Sequence, residues 1–460
     1  MRHLEKKLLP LPALLILLGG MTVGLAPAAR QESPSQAQTP PSEPPIPSVP
    51  IIRIVGPAKP KIPIAIPAFQ ASADGRARDL AKETRDTLRD DLDFSGYFSI
   101  VPEEYHKLVR PDSGGHIPFK EWLGVGAEDL MMGELHLEAS NLVCEGRLYD
   151  TSDQKVLFGK LYRGEPDLAR VIAHRMSNEI VQQHTGQPGI ALTRIAFVSQ
   201  VGKAKEIYVM DYDGARSKRI TGNGSINLSP AWSPDGKEIA FVSYRTGTPE
   251  LMIISNDGAL RAAFPQQGEL NSAPSWSPDG SAVAFSSSRD GNAEIYLLRL
   301  SDRSLKRLTN NDGIDTSPTW SPDGRQIAFT SDRAGSPHIY VMAADGGGVH
   351  NVTPEVSYCD AASWSPLGDK IAFTARVAGG FDIFVRDVKA YEADPRSGPI
   401  GRLTENSNIN EWPRWSPDGR HLAFASNRTG NFDIYTMDLD GSHLRRLTHG
   451  GNSYSPAWSR

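Results

Sequence analysis

A tryptophan-centred motif, repeated six times, constrains this chain more than any other feature. Trp-Ser-Pro-Asp-Gly stands at Trp232, Trp276, Trp320 and Trp415, and Trp-Ser-Pro-Leu-Gly at Trp364; the truncated copy Trp458-Ser459-Arg460 ends the sequence. The tryptophans lie 44, 44, 44, 51 and 43 residues apart. A fixed period of about 40–45 residues is the pattern of a β-propeller, with one four-stranded blade per repeat. Each repeat carries the signs of four strands. A Trp strand is followed by Ser-Pro-Asp-Gly, where Pro sets φ and Gly takes the left-handed conformation of a tight turn. An Ala-Phe strand comes next, at 196–197, 240–241, 284–285, 328–329, 372–373 and 423–424. A third apolar strand and a fourth ending in Leu-Thr or a relative complete the unit.

Six Ala-Phe strands predict six blades. The first, Arg194–Ser199, has no Trp strand before it, and Tyr454–Trp458 is a Trp strand with nothing after it. The economical arrangement is closure of the ring by the last strand, which removes an exposed sheet edge. The 51-residue interval is traced to about seven extra residues near Lys389–Ser397, between the third and fourth strands of that blade.

The chain ahead of the repeats divides in three. Residues 1–29 read as a signal peptide: Arg2, Lys6 and Lys7, an apolar run from Leu8 to Leu25, then Ala26-Pro27-Ala28. No cysteine lies near that cleavage site to carry a lipid. Residues 30–50 are rich in Pro, Ser and Gln and read as an extended tether. Residues 51–186 predict a small α/β domain with a mixed sheet. It has strands at Lys61–Pro67, Tyr97–Val101, Leu130–Glu138, Asn141–Tyr149 and Lys155–Tyr162. Its helices are a long one carrying Leu80, Thr84, Leu88 and Leu92 on one face, a short one at Phe119–Leu123, and a last one over Leu168–Gln183. Residues 187–193 form the linker, and 194–460 the propeller. The fold class is therefore an all-β six-bladed propeller preceded by a small α/β domain.

Composition narrows the function. A net charge of −5 offers no basic surface for nucleic acid. The two cysteines, Cys144 and Cys359, fall in different domains and read as buried thiols. There is no Gly-x-Ser-x-Gly elbow, His-Glu-x-x-His, phosphate loop or Cys-x-x-Cys, and no cofactor or resident metal is implied. The regular residues, including Arg245, Arg289, Arg333 and Arg428 of Ser-x-Arg, read as structural.

Function is expected where the repeat breaks its pattern, in the segments leading into each Trp strand at the mouth of the central channel. These hold Leu228 and Ser229; Leu270, Asn271, Ser272 and Ala273; Asp315, Thr316 and Ser317; Asp360 and Ala361; Glu411 and Trp412; and, by closure, Tyr454. Together they predict a polar, mildly acidic funnel with apolar and aromatic edges, a candidate for partner binding. Asp315, Asp360 and Glu411 are the residues with which such a funnel could attract Ca²⁺. A hydrolase or lyase working in the channel, or a ligand-binding sensor, is the alternative to an adaptor.

The layout resembles the TolB family of the Tol-Pal system. The likeness rests on the signal segment, the α/β domain, a six-bladed propeller built on Trp-Ser-Pro-Asp-Gly and Ile-Ala-Phe, the junction Thr193-Arg194-Ile195-Ala196-Phe197, Asp211-Tyr212-Asp213-Gly214 and the terminal Pro-Ala-Trp-Ser. The resemblance implies a monomeric, non-enzymatic periplasmic adaptor, peripheral to the membrane through its partners. It would bind a Pal-like peptidoglycan-associated lipoprotein at the propeller mouth. It would reach a TolA-like inner-membrane protein through the N-terminal segment, here Ile51, Ile52, Arg53, Ile54 and Val55. The role implied is support of outer-membrane integrity and of envelope constriction at division. The Pro-rich stretch ahead of Ile51, and Leu270 and Ser317 in place of more polar residues, set this chain apart from that pattern.

Overall fold

A computed structural model describes residues 60–110, 116–265, 271–405 and 409–460. The signal segment, the tether, Ile51–Val55 and Leu270 lie outside the described residues.

The N-terminal domain is a mixed sheet with both long helices on one face. Its main path runs Phe98–Ile100, Ile62–Ala65, Asp129–Glu138, Asn141–Asp150, Lys155–Gly164. Ile62–Ala65 is parallel to both neighbours, and the last three strands form an antiparallel meander. The helix Gly75–Phe94 starts where the Asp74 side chain accepts from the Arg76 amide at 2.9 Å, an N-cap that satisfies one orphan donor. Its apolar stripe, Ala77, Ala81, Leu88 and Leu92, packs with Ile172, Met176 and Ile180 of the helix Ala169–Thr185 against the sheet. That second helix stops at Gly186, whose φ of 71° makes the left-handed C-cap that glycine adopts at little cost. No helix among the described residues is long and apolar enough to cross a membrane.

The propeller has six four-stranded antiparallel sheets. The closing blade is built from both ends of the repeat region: Ser453–Trp458 pairs with Arg194–Val201, followed by Ala204–Asp211 and Lys218–Arg219. The pairing matches Tyr454 to Val198, Ala457 to Ala196 and Trp458 to Ile195. Beyond it, the Ser459 amide donates to the Arg194 carbonyl at 2.8 Å, and the Arg194 amide donates to Ser459 Oγ at 2.8 Å. The long interval is explained by a helix, Val388–Ala393, between the third and fourth strands of its blade.

The repeated residues do structural work. Trp232, Trp276 and Trp415 each donate their indole N–H to a carbonyl of the preceding blade, Ala457, Ala231 and Ser363, at 3.1, 3.1 and 2.9 Å. Each tryptophan thus fills an interblade gap and bonds across it. In the turns, Ser233 Oγ donates to Asp235 at 2.7 Å and Ser321 Oγ to Asp323 at 2.6 Å. The Leu-Thr signature has a cause as well. The hydroxyls of Thr221, Thr309, Thr353, Thr404 and Thr448 accept the amides of Ile207, Ile295, Ile339, Ile383 and Ile434 at 2.8–2.9 Å, tying outermost strand to third strand. Arg333 and Arg428 lie over Tyr340 and Tyr435 at 5.0 and 4.9 Å, and bond Asp315 and Asn410. Cys144 and Cys359 are buried free thiols, each pushed up to about 12 by burial.

The N-terminal domain is bolted to the propeller through buried polar groups. Asp91 accepts the Tyr212 hydroxyl at 2.6 Å, and its other oxygen lies 2.8 Å from His174 Nδ1. All three side chains are almost fully buried. Burial raises the Asp91 carboxyl even though His174 and Tyr212 bond it. Around this knot, Phe94 stacks on His421 at 4.1 Å, Arg420 lies 4.2 Å over Tyr97, and Ile190 and Ala191 pack into a cluster with Tyr212, Leu447 and Trp458.

Two outcomes follow. Trp458→Ala should lower stability by about 3–5 kcal/mol in urea unfolding, because it empties the closing blade's core; a loss under about 1 kcal/mol would mean the terminal strand is dispensable to the ring. Asp91→Ala should cost about 3 kcal/mol by leaving buried His174 and Tyr212 without their acceptor. An unchanged unfolding midpoint would remove this knot from the account of interdomain docking.

Candidate functional site: the propeller mouth

Blade topology separates the two ends of the propeller. The Ser-Pro-Asp-Gly turns and the turns between third and outermost strands share one end. The segments leading into each innermost strand share the other end with the turns between second and third strands. The N-terminal domain sits on the first end, since Arg420 follows a Ser-Pro-Asp-Gly turn and Tyr212 opens a third-to-outermost turn. The opposite end, the mouth, faces away from that domain.

A single backbone device shapes the mouth. The third residue of every innermost strand has positive φ: Ser229 54°, Ala273 50°, Ser317 54°, Ala361 55°, Trp412 57° and Ser455 47°. The ladder to the second strand shifts register across each of these residues. Such bulges bend a strand and re-aim its side chains. Five of the six are Ser or Ala. Trp412 places a large side chain in a conformation that costs about 1–3 kcal/mol outside glycine. The preceding blade holds two of these amides: Ser317 N–H donates to Ser286 Oγ and Trp412 N–H to Thr374 Oγ1, both at 3.2 Å.

The structure brings most of the sequence-predicted residues to this opening, at different depths. Leu228, Ser229, Ser272, Ala273, Ser317, Trp412 and Tyr454 are half-buried at the surface of the mouth, while Thr316, Asp360, Ala361 and Glu411 lie deeper, each under a tenth exposed. Asn271 belongs to its innermost strand. Asp315 is withdrawn. It is fully buried, 2.8 Å from Arg333 and bonded by Asn311, so it serves the blade rather than the opening. It does not join Asp360 and Glu411, and among the described residues no group of three or more ligating side chains forms that could hold a metal.

Two acids and an arginine lie close together beneath the rim. Asp360 Oδ1 accepts from Thr330 Oγ1, Ser317 Oγ and the Ala361 amide at 2.9, 3.2 and 2.6 Å. Burial raises its carboxyl against those bonds. The neighbouring Glu411 is pushed up to about 7, by burial first and by the Asp360 charge second. Arg414, two residues beyond Trp412, is lowered to about 10 by burial, against the opposing pull of the neighbouring Asp360 charge.

An aromatic arc completes one side of the rim. Trp412 lies 6.2 Å from Phe432 and 6.1 Å from Tyr454, and Phe432 lies 5.2 Å from Tyr454. Lys205 stands 5.3 Å over Tyr454. On the next blade Tyr358 packs on Phe381 at 5.6 Å under Arg376. Sequence reasoning missed Lys205, Tyr358, Phe381 and Phe432. A signal for three of them was present. The residue just before Glu206, Glu250, Glu294, His338, Asp382 or Asp433 of the third strands is Lys205, Pro249, Ala293, Pro337, Phe381 and Phe432 in turn, so aromatics occur there only in two neighbouring blades. The opposite side, around Ser272, Ala273, Thr316 and Ser317, has small side chains. The mouth is therefore asymmetric, with rigid aromatic anchors on one side and an acidic throat beside them.

Comparison with known proteins places this architecture. Residues 50–157 match the family model of the TolB amino-terminal domain, and residues 181–394 that of the TolB beta propeller domain. The chain belongs to the TolB family. The crystal structure of TolB from Acinetobacter baumannii superposes on this TolB-family chain with a TM-score of 0.73 at 29% identity, covering 87% of this chain and 97% of that one. The chain is 41% identical over 191 residues to the Tol-Pal system protein TolB of Desulfosudis oleivorans, covering 40% of this chain and 43% of the relative. It is 38% identical over 179 residues to that of Geobacter metallireducens, covering 39% and 42%. The aligned stretches span less than half the length of these two relatives. The family models and the Acinetobacter structure agree with both sequence expectations, the six-bladed ring and the mixed α/β domain.

The Glu411 carboxyl sets a pH dependence. Its folded value is raised from 4.5 to about 7, so the folded protein holds a proton that the unfolded chain has released. That contribution to stability is fully present below about pH 4.5 and is lost as pH rises through about 7. Glu411→Gln removes it, so between about pH 5 and 8 the variant should gain about 2–3 kcal/mol relative to the parent protein in urea unfolding. An offset between the two proteins that stays constant over this range would show that Glu411 titrates normally.

Proposed function

We propose that this protein is a non-enzymatic periplasmic adaptor of the Tol-Pal system. In this reading the mouth binds a Pal-like peptidoglycan-associated lipoprotein, and Ile51–Val55 engages a TolA-like inner-membrane protein. The two contacts support outer-membrane integrity and envelope constriction at division. The observation that carries the mouth assignment is the aromatic arc of Trp412, Phe432 and Tyr454, on the end of the propeller away from the N-terminal domain. Tightly packed aromatics beside small, adaptable rim residues are what protein interfaces concentrate at their centres. The relatives' membership in the Tol-Pal system supports a protein partner in general.

A binding assay with the cell's own Pal-like lipoprotein tests this reading. Glu411→Lys combined with Trp412→Ala should weaken capture at least tenfold, about 1.4 kcal/mol or more. Undiminished capture by the double variant would move the partner site elsewhere. Turnover of a glycan or peptide by the purified protein, lost in the same variant, would instead favour a channel hydrolase.

A further inference from the structure

On the closing blade, one cation at the mouth has no counter-charge. Lys205 is 8% exposed, and its ammonium stands 5.3 Å over the Tyr454 ring. Among the described residues that ammonium enters no ion pair and no hydrogen bond, and it still meets solvent. Burial lowers the lysine, and no carboxylate opposes that shift. Glu206, the next residue, is turned to Thr221, Gly224 and Asn227. The matching places in the other blades hold Pro249, Ala293, Pro337, Phe381 and Phe432, so Lys205 is the one charge in the set. Blade packing does not call for an ammonium here, and a buried charge is retained at a cost unless it is paired.

The backbone beside it has a donor to spare. Lys205 N–H donates to the Ser225 carbonyl at 3.0 Å, and the Lys205 carbonyl accepts from Asn227 at 2.9 Å, which sets Lys205 against the lead-in to Leu228 and Ser229. Ser229 lies in the bulge between the ladder pairs Leu228–Val242 and Ala231–Ala240. For two other bulges the preceding blade supplies an acceptor, Ser286 Oγ to the Ser317 amide and Thr374 Oγ1 to the Trp412 amide. Those acceptors pair in the ladder with Ser272 and Asp360. The same place ahead of Ser229, paired with Tyr454, is Val198, whose side chain has no oxygen. The Ser229 hydroxyl also has no hydrogen bond among the described residues. We propose that Lys205 and Ser229 seat one carboxylate side chain, Asp or Glu, of the protein that docks on the mouth. The ammonium pairs with the carboxylate, and the Ser229 N–H and hydroxyl donate to it; such charge-assisted hydrogen bonds are the strong ones. The occupant is a protein side chain because the ammonium adjoins Tyr454 of the aromatic arc, so one partner covers both. Leu228, Ser229 and Tyr454 are half-buried on the open rim, so the seat needs no enclosed cavity. The inference rests on the mouth being the partner surface.

A double-mutant cycle tests this, with the full chain and the soluble domain of the cell's Pal-like lipoprotein. Each exposed Asp and Glu of that domain is changed to Ala in turn, and capture is measured on the parent chain and on Lys205→Met. Lys205→Met should weaken capture about tenfold. One carboxylate variant should lose about tenfold on the parent chain and less than about twofold on Lys205→Met. Capture by the parent should also weaken with added salt more steeply than capture by Lys205→Met. The lipoprotein variants are read on the parent chain, so the seat is tested even where Lys205→Met folds poorly. If the parent does not capture the domain at all, the mouth reading falls and takes the seat with it. Capture in which no carboxylate variant loses more than about threefold, or in which the loss is equal on Lys205→Met, overturns the seat alone.

Discussion

The pairing of Ser453–Trp458 with Arg194–Val201 joins the two ends of the propeller in one sheet, and the rest of the molecule is arranged around it. Without it the closing blade loses its innermost strand and leaves a long edge open, which sheet proteins avoid. Trp458 also packs in the same cluster as Phe94, Ile190, Ala191 and Tyr212. Ring closure and attachment of the N-terminal domain therefore draw on one set of contacts. The buried Asp91–His174–Tyr212 knot sits beside that cluster and makes the docking specific, since each polar group there needs its partner.

This arrangement leaves the two ends of the propeller with different tasks. The end with the Ser-Pro-Asp-Gly turns is occupied by the N-terminal domain. The mouth end is left with bulged lead-in strands, and the same bulge in six places presents six different residue sets. A ring of this kind can keep its packing constant while its rim changes, because the side chains that hold the blades, Trp232, Trp276, Trp415 and the Leu-Thr hydroxyls, are not those that meet solvent at the opening. Trp412 is the point at which the rim departs most from the blade rule, with a strained backbone and an aromatic side chain where other blades carry Ser or Ala.

Most of the fold was legible in the sequence because propellers repeat their own physics. The interval between tryptophans, the orphan strand at Arg194 and the orphan Trp strand at the end were enough to predict six blades and their closure. The helix Val388–Ala393 occupies the insertion that the 51-residue interval implied. The site was legible only in part. Asp315 looked equivalent to Asp360 in sequence, yet it begins its strand one place earlier and is drawn into the blade by Arg333. A one-residue offset along an alternating strand changes what a side chain faces. Phe381 and Phe432 were missed because they sit at the start of third strands, about twenty residues in sequence from the lead-in segments they join. The pairing of Asp91 with His174 and Tyr212 links residues 83 and 121 positions apart, and no local pattern announces it.

The most direct test of the account is hydrogen exchange of the backbone amides with and without the soluble domain of the cell's Pal-like lipoprotein. Binding should slow exchange in the segments around Asp360–Ala361, Glu411–Trp412 and Tyr454, and leave the Ser-Pro-Asp-Gly turns unchanged. Protection confined to those turns, or to the N-terminal domain, would contradict the assignment of the mouth as the partner site.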